Sequence, residues 1–305
     1  FLDREKEAAV LRLRKSFLQG ADAEQIAQRI AEQCGDWAKH VSEEDKESWA
    51  KTRGVEDVAP SRLMREDVPR TFASEEGKAQ LTDVVVRLGQ RLGGEAYSQA
   101  MCFVAAVFLI FLRKEKAFEL TVSLTRDPKW MGKRWWDRVA FGTEAFAFVE
   151  LLEQREPDVA AHFSRLHVLA EAYTQRWLLA LFVNVLPYST LIPVVDAFLK
   201  HGTVVLHRVA LSLIRHCREK LLAAPDTGRC LAILSGPPEE LCEAIVNDAL
   251  KNEEVLSDAQ LEQVRVSAFE KHRSKLVSAP GKDASRKHTG ETDSEDGSSD
   301  EDEDD

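Results

Sequence analysis

The longest apolar segment of the chain runs without interruption over twelve residues, from Met101 to Leu112. Two basic residues end it, and a tyrosine and a glutamine, Tyr97 and Gln99, stand just ahead of it. A membrane-spanning helix needs roughly 20 apolar residues, so this segment predicts a buried helix of a folded domain. The polar residues raise a question, which is why a glutamine should stand at the start of the most apolar helix in the chain.

Apolar residues also recur at helical spacing through most of the remaining sequence. The only Asn-Gly or Asp-Gly pair is Asp296-Gly297, inside an acidic tail, so no β-hairpin is indicated. Helix-start signals occur at Asp22 with Gln25, Ser42 with Asp45, Ser74 with Glu75 and Glu76, and Ser257 with Gln260. The pattern predicts helices over residues 2–18, 23–34, 43–51, 75–92, 98–113, 115–124, 134–154, 157–164, 167–185, 189–200, 203–223, 238–251 and 258–276. We therefore predict an all-α fold with a single large multi-helical domain.

Residues 52–73 interrupt this series, because they carry few helix signals and contain Pro60 and Pro69. We predict a loop here. Proline fixes its own backbone and restricts the residue before it. Arg70 follows Pro69 directly, so we expect it to be held more rigidly than a residue at the tip of a flexible loop.

The net charge of -11 comes almost entirely from the C-terminal end. Ten of the 52 acidic residues lie between Glu291 and Asp305, without any Lys or Arg, so 42 acidic and 41 basic residues remain in positions 1–290. A nearly neutral domain lacks the clustered positive charge of a nucleic-acid surface. The basic, tryptophan-rich stretch 129–138 resembles a base-stacking surface, but core packing is the interpretation that we prefer.

Other classes of site find little support. The five cysteines form no CxxC pair, the eight histidines form no HExxH motif, and there is no GxxxxGK[ST] loop. We expect reduced thiols, no metal and no cofactor. Residues 1–20 lack a signal-peptide core, so we expect a cytoplasmic protein and leave peripheral recruitment to membranes open. We also expect a monomer. Because the chain begins at Phe1, we expect it to be a piece of a longer protein.

Three motifs occur in order along the chain. The first reads Met64-x-x-Asp67-x-x-Arg70-Thr71 and the second Tyr97-x-Gln99-x-Met101. In the third, residues 176–202, a helix that starts near a tryptophan ends at Leu-Pro and is followed by Val194-x-Asp196-x-Phe198 and Gly202. In this order the motifs resemble those of the TBC-domain family, the GTPase-activating proteins of Rab GTPases. The resemblance covers roughly residues 61–276.

The resemblance implies an answer to the question about the glutamine. In this family an arginine and a glutamine are inserted into the nucleotide pocket of a Rab GTPase in its GTP-bound state, and Arg70 and Gln99 would fill these roles. The partner binds GTP and Mg²⁺, so the chain would activate another enzyme and hydrolyse nothing alone. By the same resemblance Asp67 would orient the Arg70 guanidinium, while Thr71 and Tyr97 would fix the local backbone and packing.

Departures from the family pattern keep an alternative function open. The glycines that usually flank YxQ are Ala96 and Ala100 here, and the usual entry segment keeps only a Trp and an Arg-Gly within residues 47–57. The alternative is a non-catalytic module of the same fold that binds a GTPase or another partner without accelerating hydrolysis. A third interpretation is a helical scaffold with chance motif matches, in which Arg70 and Gln99 would lie far apart.

We expect three regions in the chain. Residues 1–60 form a helical region that is part of the domain or leads into it, residues 61–277 form the TBC-like domain, and residues 278–305 form a disordered acidic tail with few apolar residues.

Overall fold

The computed structural model describes residues 37–52, 58–71, 75–93, 96–252 and 255–278. Within these ranges the chain is helical and contains no β-strand, which confirms the predicted all-α class. A 3-10 turn at Ala38–His40 precedes the helices. The α-helices are α1 Ser48–Lys51, α2 Arg62–Thr71, α3 Glu75–Leu92, α4 Gln99–Phe111, α5 Lys114–Arg126, α6 Arg138–Arg155, α7 Pro157–Arg165, α8 Ala170–Thr174, α9 Tyr188–His201, α10 Val204–His216, α11 Arg218–Leu222, α12 Thr227–Ser235, α13 Glu239–Lys251 and α14 Asp258–Ser278. Among the helices of the described ranges, none combines the length and the apolar composition of a membrane-spanning segment.

The helix α4 lies at the centre of the N-terminal half. Helices α2, α3 and α5 all pack against it, and so does the π-helical turn Gln175–Leu179 from the second half. All of its residues from Val104 to Phe111 are buried, so it is covered on every side. In the C-terminal half the long helix α14 packs along α6, and α13 packs along α10. A single apolar core runs through both halves.

Several predicted boundaries are confirmed within one or two residues. These are the helices α3, α4, α5, α7, α9, α13 and α14. The predicted start of α14 is a complete capping box, because Gln260 N–H donates to Ser257 Oγ and Ser257 N–H donates to Gln260 Oε1. The two acids of the first turn of α3, Glu75 and Glu76, are also in place.

The prediction of a loop over residues 52–73 is wrong, because α2 occupies its second half. Pro69 lies inside α2, near its C-terminal end, and lacks the N–H that would bond to the carbonyl four residues earlier. Ser61 caps the helix, since its hydroxyl accepts from Met64 N–H and its carbonyl accepts from Arg65 N–H. Arg70 therefore lies in the last turn of a helix.

Other corrections concern segments where tertiary packing overrides helical periodicity. Residues 43–47 form a turn, because the buried Asp45 carboxylate binds the Arg126 guanidinium and the Ser123 hydroxyl. The helix predicted over 167–185 ends at Leu179, and the helix predicted over 203–223 breaks at Cys217. The helix predicted from residue 134 starts only at Arg138, and α12 was not predicted.

Several predictions fall outside the described residues. These are the helices over 2–18 and 23–34, the caps at Asp22 and Ser74, and the disorder of residues 279–305. The proposed division into three regions stays a prediction.

Candidate functional site

Helix α2 presents the first motif with a sharp division between its two faces. Met64, Asp67 and Val68 are buried, whereas Arg70 has a side chain that is 65% exposed. Met64, Asp67 and Val68 stand at spacings of three and four and share the buried face, and Arg70, three residues after Asp67, lies at the edge of that face. Packing of the buried face against α3 and α4 therefore fixes the direction in which Arg70 leaves the surface.

The second motif ends at the first turn of α4. Ser98 has an extended backbone, and Gln99 is the first helical residue, with an exposed side chain. Two residues later Met101 is already fully buried. Gln99 thus lies at the end of a helix that the core holds in place. A residue on such a rigid element keeps a fixed position.

The Asp67 carboxylate joins the two motifs. Its Oδ1 accepts a hydrogen bond from Gln99 Nε2 at 3.0 Å, and its Oδ2 accepts one from the Tyr97 hydroxyl at 3.0 Å. Arg70 Nη1 lies 3.9 Å from the same Oδ1 atom. Asp67 is therefore bonded more closely to the second motif than to the guanidinium that the family resemblance assigns to it.

The contact with Asp67 also fixes the orientation of the Gln99 amide. A carboxylate oxygen only accepts hydrogen bonds, so the nitrogen end of the amide must face it. The Gln99 oxygen, an acceptor, then lies on the other branch of the amide and is left for a different donor. One N–H of the same amide also stays available, because Asp67 Oδ1 takes only one of the two.

Thr71 and Cys102 lie beneath the contact between Asp67 and Gln99. The Thr71 hydroxyl donates to the backbone carbonyl of Asp67 at 2.8 Å and lies 3.5 Å from the sulfur of Cys102. Cys102 has no exposed surface and stands one turn after Gln99 in α4. Sequence reasoning missed this contact, because the spacing of three residues places Cys102 on the same face of α4 as Gln99 but does not show that Thr71 packs against it.

The groups beneath the site stay uncharged at neutral pH. Burial raises the pKa of the Tyr97 hydroxyl, and the nearby Cys102 and Asp67 raise it further. Burial also raises the pKa of the Cys102 thiol to about 11, although hydrogen bonding with Thr71 and Tyr97 works in the opposite direction. Tyr97 thus keeps its proton and acts as a donor to Asp67.

The site lies on an open surface. A cavity of about 1210 Å³ lies between α14 and residues 125–144, and neither Arg70 nor Gln99 is among its lining residues. Among the described residues no group of three or more His, Cys, Asp or Glu side chains is arranged to hold a metal ion. An exposed guanidinium and an exposed amide thus lie beside one carboxylate on the protein surface.

The third motif has structural contacts. The Asp196 carboxylate pairs with Lys200 at 2.6 Å, and the Phe198 side chain is fully buried. Gly202 has φ +82° and lies so close to the chain at Lys129 that a Cβ atom would come within 2.4 Å of its carbonyl oxygen. The tryptophans of the 129–138 stretch also pack against the core, and Trp135 Nε1 donates to the Leu179 carbonyl.

Known proteins share the sequence pattern of this chain. Residues 27–222 match the sequence model of the Rab-GTPase-TBC domain. Carabin of Mus musculus is 30% identical over 192 residues, which cover 61% of this chain and 43% of Carabin. Growth hormone-regulated TBC protein 1 of Homo sapiens is 29% identical over 178 residues, which cover 53% of this chain and 51% of that protein. The chain spans about half the length of these curated relatives.

A solved structure supports the same assignment at the level of the fold. The crystal structure of the Chlamydomonas flagellar RabGAP TBC domain superimposes with a TM-score of 0.58 at 19% identity, and the match covers 87% of this chain and 91% of that one. The sequence match extends over well more than half of the 305 residues. This chain belongs to the Rab-GTPase-TBC domain family.

Proposed function

We propose that this chain is a GTPase-activating protein that stimulates GTP hydrolysis by a Rab-type small GTPase. The observation that carries the proposal is the position of Arg70 and Gln99, two exposed side chains from different motifs that both reach Asp67 Oδ1. Their proximity removes the main support for a scaffold with chance motif matches.

In this proposal the chemistry takes place in the partner. The GTPase holds GTP and Mg²⁺, and water attacks the γ-phosphate. The transition state spreads negative charge over the phosphoryl oxygens, so catalysis depends on positioning and electrostatic stabilisation. The Arg70 guanidinium supplies a permanent charge with a planar set of donors. Arginines in this role contribute roughly 10³–10⁵ in rate, or about 4–7 kcal/mol.

Gln99 has a different task, which is to orient the attacking water. The water has to donate a hydrogen bond to an acceptor that is already in place, and the free amide oxygen is such an acceptor. The remaining N–H of the amide is available to a phosphate oxygen. Since Asp67 already binds the nitrogen end, no rotation of the amide is needed before it accepts from the water.

The experiment that tests the proposal is a GTP-hydrolysis screen of this chain against a panel of purified Rab GTPases, each preloaded with GTP. We expect strong acceleration for at least one of them and no hydrolysis by the chain alone. The alternative, a non-catalytic module, predicts binding to a GTP-loaded GTPase without acceleration. The variants Arg70→Ala and Gln99→Ala serve as inactive references in the same screen.

A further inference from the structure

Helix α2 carries an exposed leucine on the same side as Arg70. Leu63 is 59% exposed, and the large hydrophobic residues with comparable exposure in the described ranges are few, namely Val58, Leu63, Leu169, Val266 and Val277. A single exposed leucine is ordinary on a protein surface. The position of Leu63 relative to Arg70 is what gives it meaning.

The two residues lie seven positions apart in one α-helix. Seven residues make almost two full turns, so both side chains leave α2 in nearly the same direction, about 10 Å apart along its axis. Glu66, between them, is also exposed and is held by Arg62 at 2.9 Å. The buried Met64 and Val68 prevent α2 from rotating about its axis. Leu63, Glu66 and Arg70 thus form a fixed ridge, here called the α2 ridge.

A partner that binds at Arg70 also covers the α2 ridge, because a specific protein interface is wide enough to include both. Such an interface covers about 800 Å² on each protein, which corresponds to a patch with a radius of roughly 16 Å. A GTPase that brings its phosphate to Arg70 and Gln99 centres its contact near Asp67. Leu63 then falls inside the covered patch, where an apolar side chain has to meet an apolar surface or lose affinity.

We infer that Leu63 is an apolar anchor for the GTPase, and that it helps to decide which GTPases bind productively. The inference rests on the proposed function, since the partner is the GTPase whose phosphate Arg70 contacts. The matching surface on the partner is an apolar patch about 10 Å from its γ-phosphate. A GTPase with a charged or strongly polar group at that place binds poorly.

A role of Leu63 in binding the GTPase can be distinguished from a role in GTP hydrolysis. Leu63 touches no reacting atom, so its loss weakens ground-state and transition-state binding equally, which raises KM and leaves kcat unchanged. The variants are Leu63→Ala and Leu63→Asp. Both suit the first turn of a helix, since alanine favours helix and an acid is favourable there. The matched control is Leu169→Asp, which changes a leucine that is 68% exposed just before α8.

The measurement uses the full chain and the GTPase that it accelerates most in the Rab panel. We expect KM to rise about fivefold in Leu63→Ala and at least tenfold in Leu63→Asp, with kcat within twofold of wild type. Leu169→Asp should match wild type in both constants. An unchanged KM in Leu63→Asp, or a loss confined to kcat, would overturn the inference.

A separate measurement keeps the inference apart from the proposed function. If no GTPase is accelerated, affinity for the panel member that binds best in its GTP state is measured for the same variants. If Leu63→Asp loses that affinity and the control Leu169→Asp keeps it, the role of Leu63 as an anchor is supported although the catalytic proposal fails. If wild-type chain and Leu63→Asp bind equally, or if nothing in the panel binds, the anchor is rejected.

Discussion

Gln99 Nε2 donates a hydrogen bond of 3.0 Å to Asp67 Oδ1, although 32 positions separate the two residues. The bond connects the first turn of a buried helix to the motif that carries Arg70. It thereby couples the position of the amide to that of the guanidinium.

Replacing Asp67 with asparagine should impair catalysis without unfolding the chain. Asparagine keeps the shape of the side chain but presents one donor and one acceptor, so the Gln99 amide is no longer forced to place its nitrogen inward. We expect kcat for the stimulated GTPase to fall roughly ten- to a hundredfold, because the acceptor for water is misplaced. KM should change little. The control is Asp196→Asn, which removes a carboxylate paired with Lys200 in the third motif. Equal kcat values for wild type and Asp67→Asn would show that the contact is not needed.

Arg70→Lys should be almost as inactive as Arg70→Ala. Lysine keeps the charge but loses the planar array of donors that matches several phosphate oxygens. We expect both variants to lose about a thousandfold or more in stimulated rate. Affinity for the GTPase loaded with a non-hydrolysable GTP analogue should change much less, because the interaction forms mainly in the transition state. A fully active lysine variant would reduce Arg70 to a general positive charge.

The alanines that replace the family's usual glycines should not obstruct the partner. Ala96 is only 7% exposed, and Ala100 is half-buried against the core. We expect Ala96→Gly and Ala100→Gly to leave KM within about twofold of wild type. Ala100→Gly should lower the free energy of unfolding by about 1 kcal/mol, because glycine is a poor helix former. A tenfold fall in KM in either glycine variant would show that the methyl groups limit access.

The Cys102 thiol should make stability depend on pH in the alkaline range. Burial raises its pKa from 9.0 to about 11, so the folded state holds a proton that the unfolded state loses earlier. The stabilisation is complete below pH 9 and is lost as pH rises toward 11, at about 1.4 kcal/mol per pH unit. Urea unfolding at pH 7, 9 and 10.5 should therefore show a steeper loss of stability in wild type than in Cys102→Ala. Parallel curves for the two proteins would contradict this.

Sequence patterns predicted the helical class and the long buried helices well, because their apolar periodicity agrees with their final packing. They failed at α2, where prolines suggested a loop. Pro69 lies inside α2 and costs the helix one backbone hydrogen bond, and the burial of Met64 and Val68 outweighs this cost. They also failed after Leu179, where Leu181 and Phe182 adopt positive φ while both side chains are buried. Such a backbone is set by tertiary contacts that periodicity does not contain.

The sequence predicted only part of the site. The motif resemblance named Arg70, Gln99, Asp67, Tyr97 and Thr71, and the structure brings them together. The sequence could not show that Asp67 binds Gln99 and Tyr97 more closely than Arg70, because that depends on the rotation of α2 against α4. Nor could it show that Cys102 lies beneath Thr71.

The most direct test of the proposed mechanism concerns the role of Gln99. Many small GTPases orient their hydrolytic water with a glutamine of their own. If Gln99 supplies this function from outside, the glutamine of the partner becomes largely dispensable. The experiment therefore crosses two forms of the Rab, unmodified and with its own glutamine changed to leucine, with wild-type chain and Gln99→Ala.

Single-turnover GTP hydrolysis is the measurement for all four pairs. We predict that wild-type chain accelerates both forms of the Rab and that Gln99→Ala accelerates neither. Circular dichroism should show equal helix content for the two chains, since Gln99 is exposed at the start of α4. Acceleration of the unmodified Rab alone by wild-type chain, or full activity of Gln99→Ala, would contradict the account.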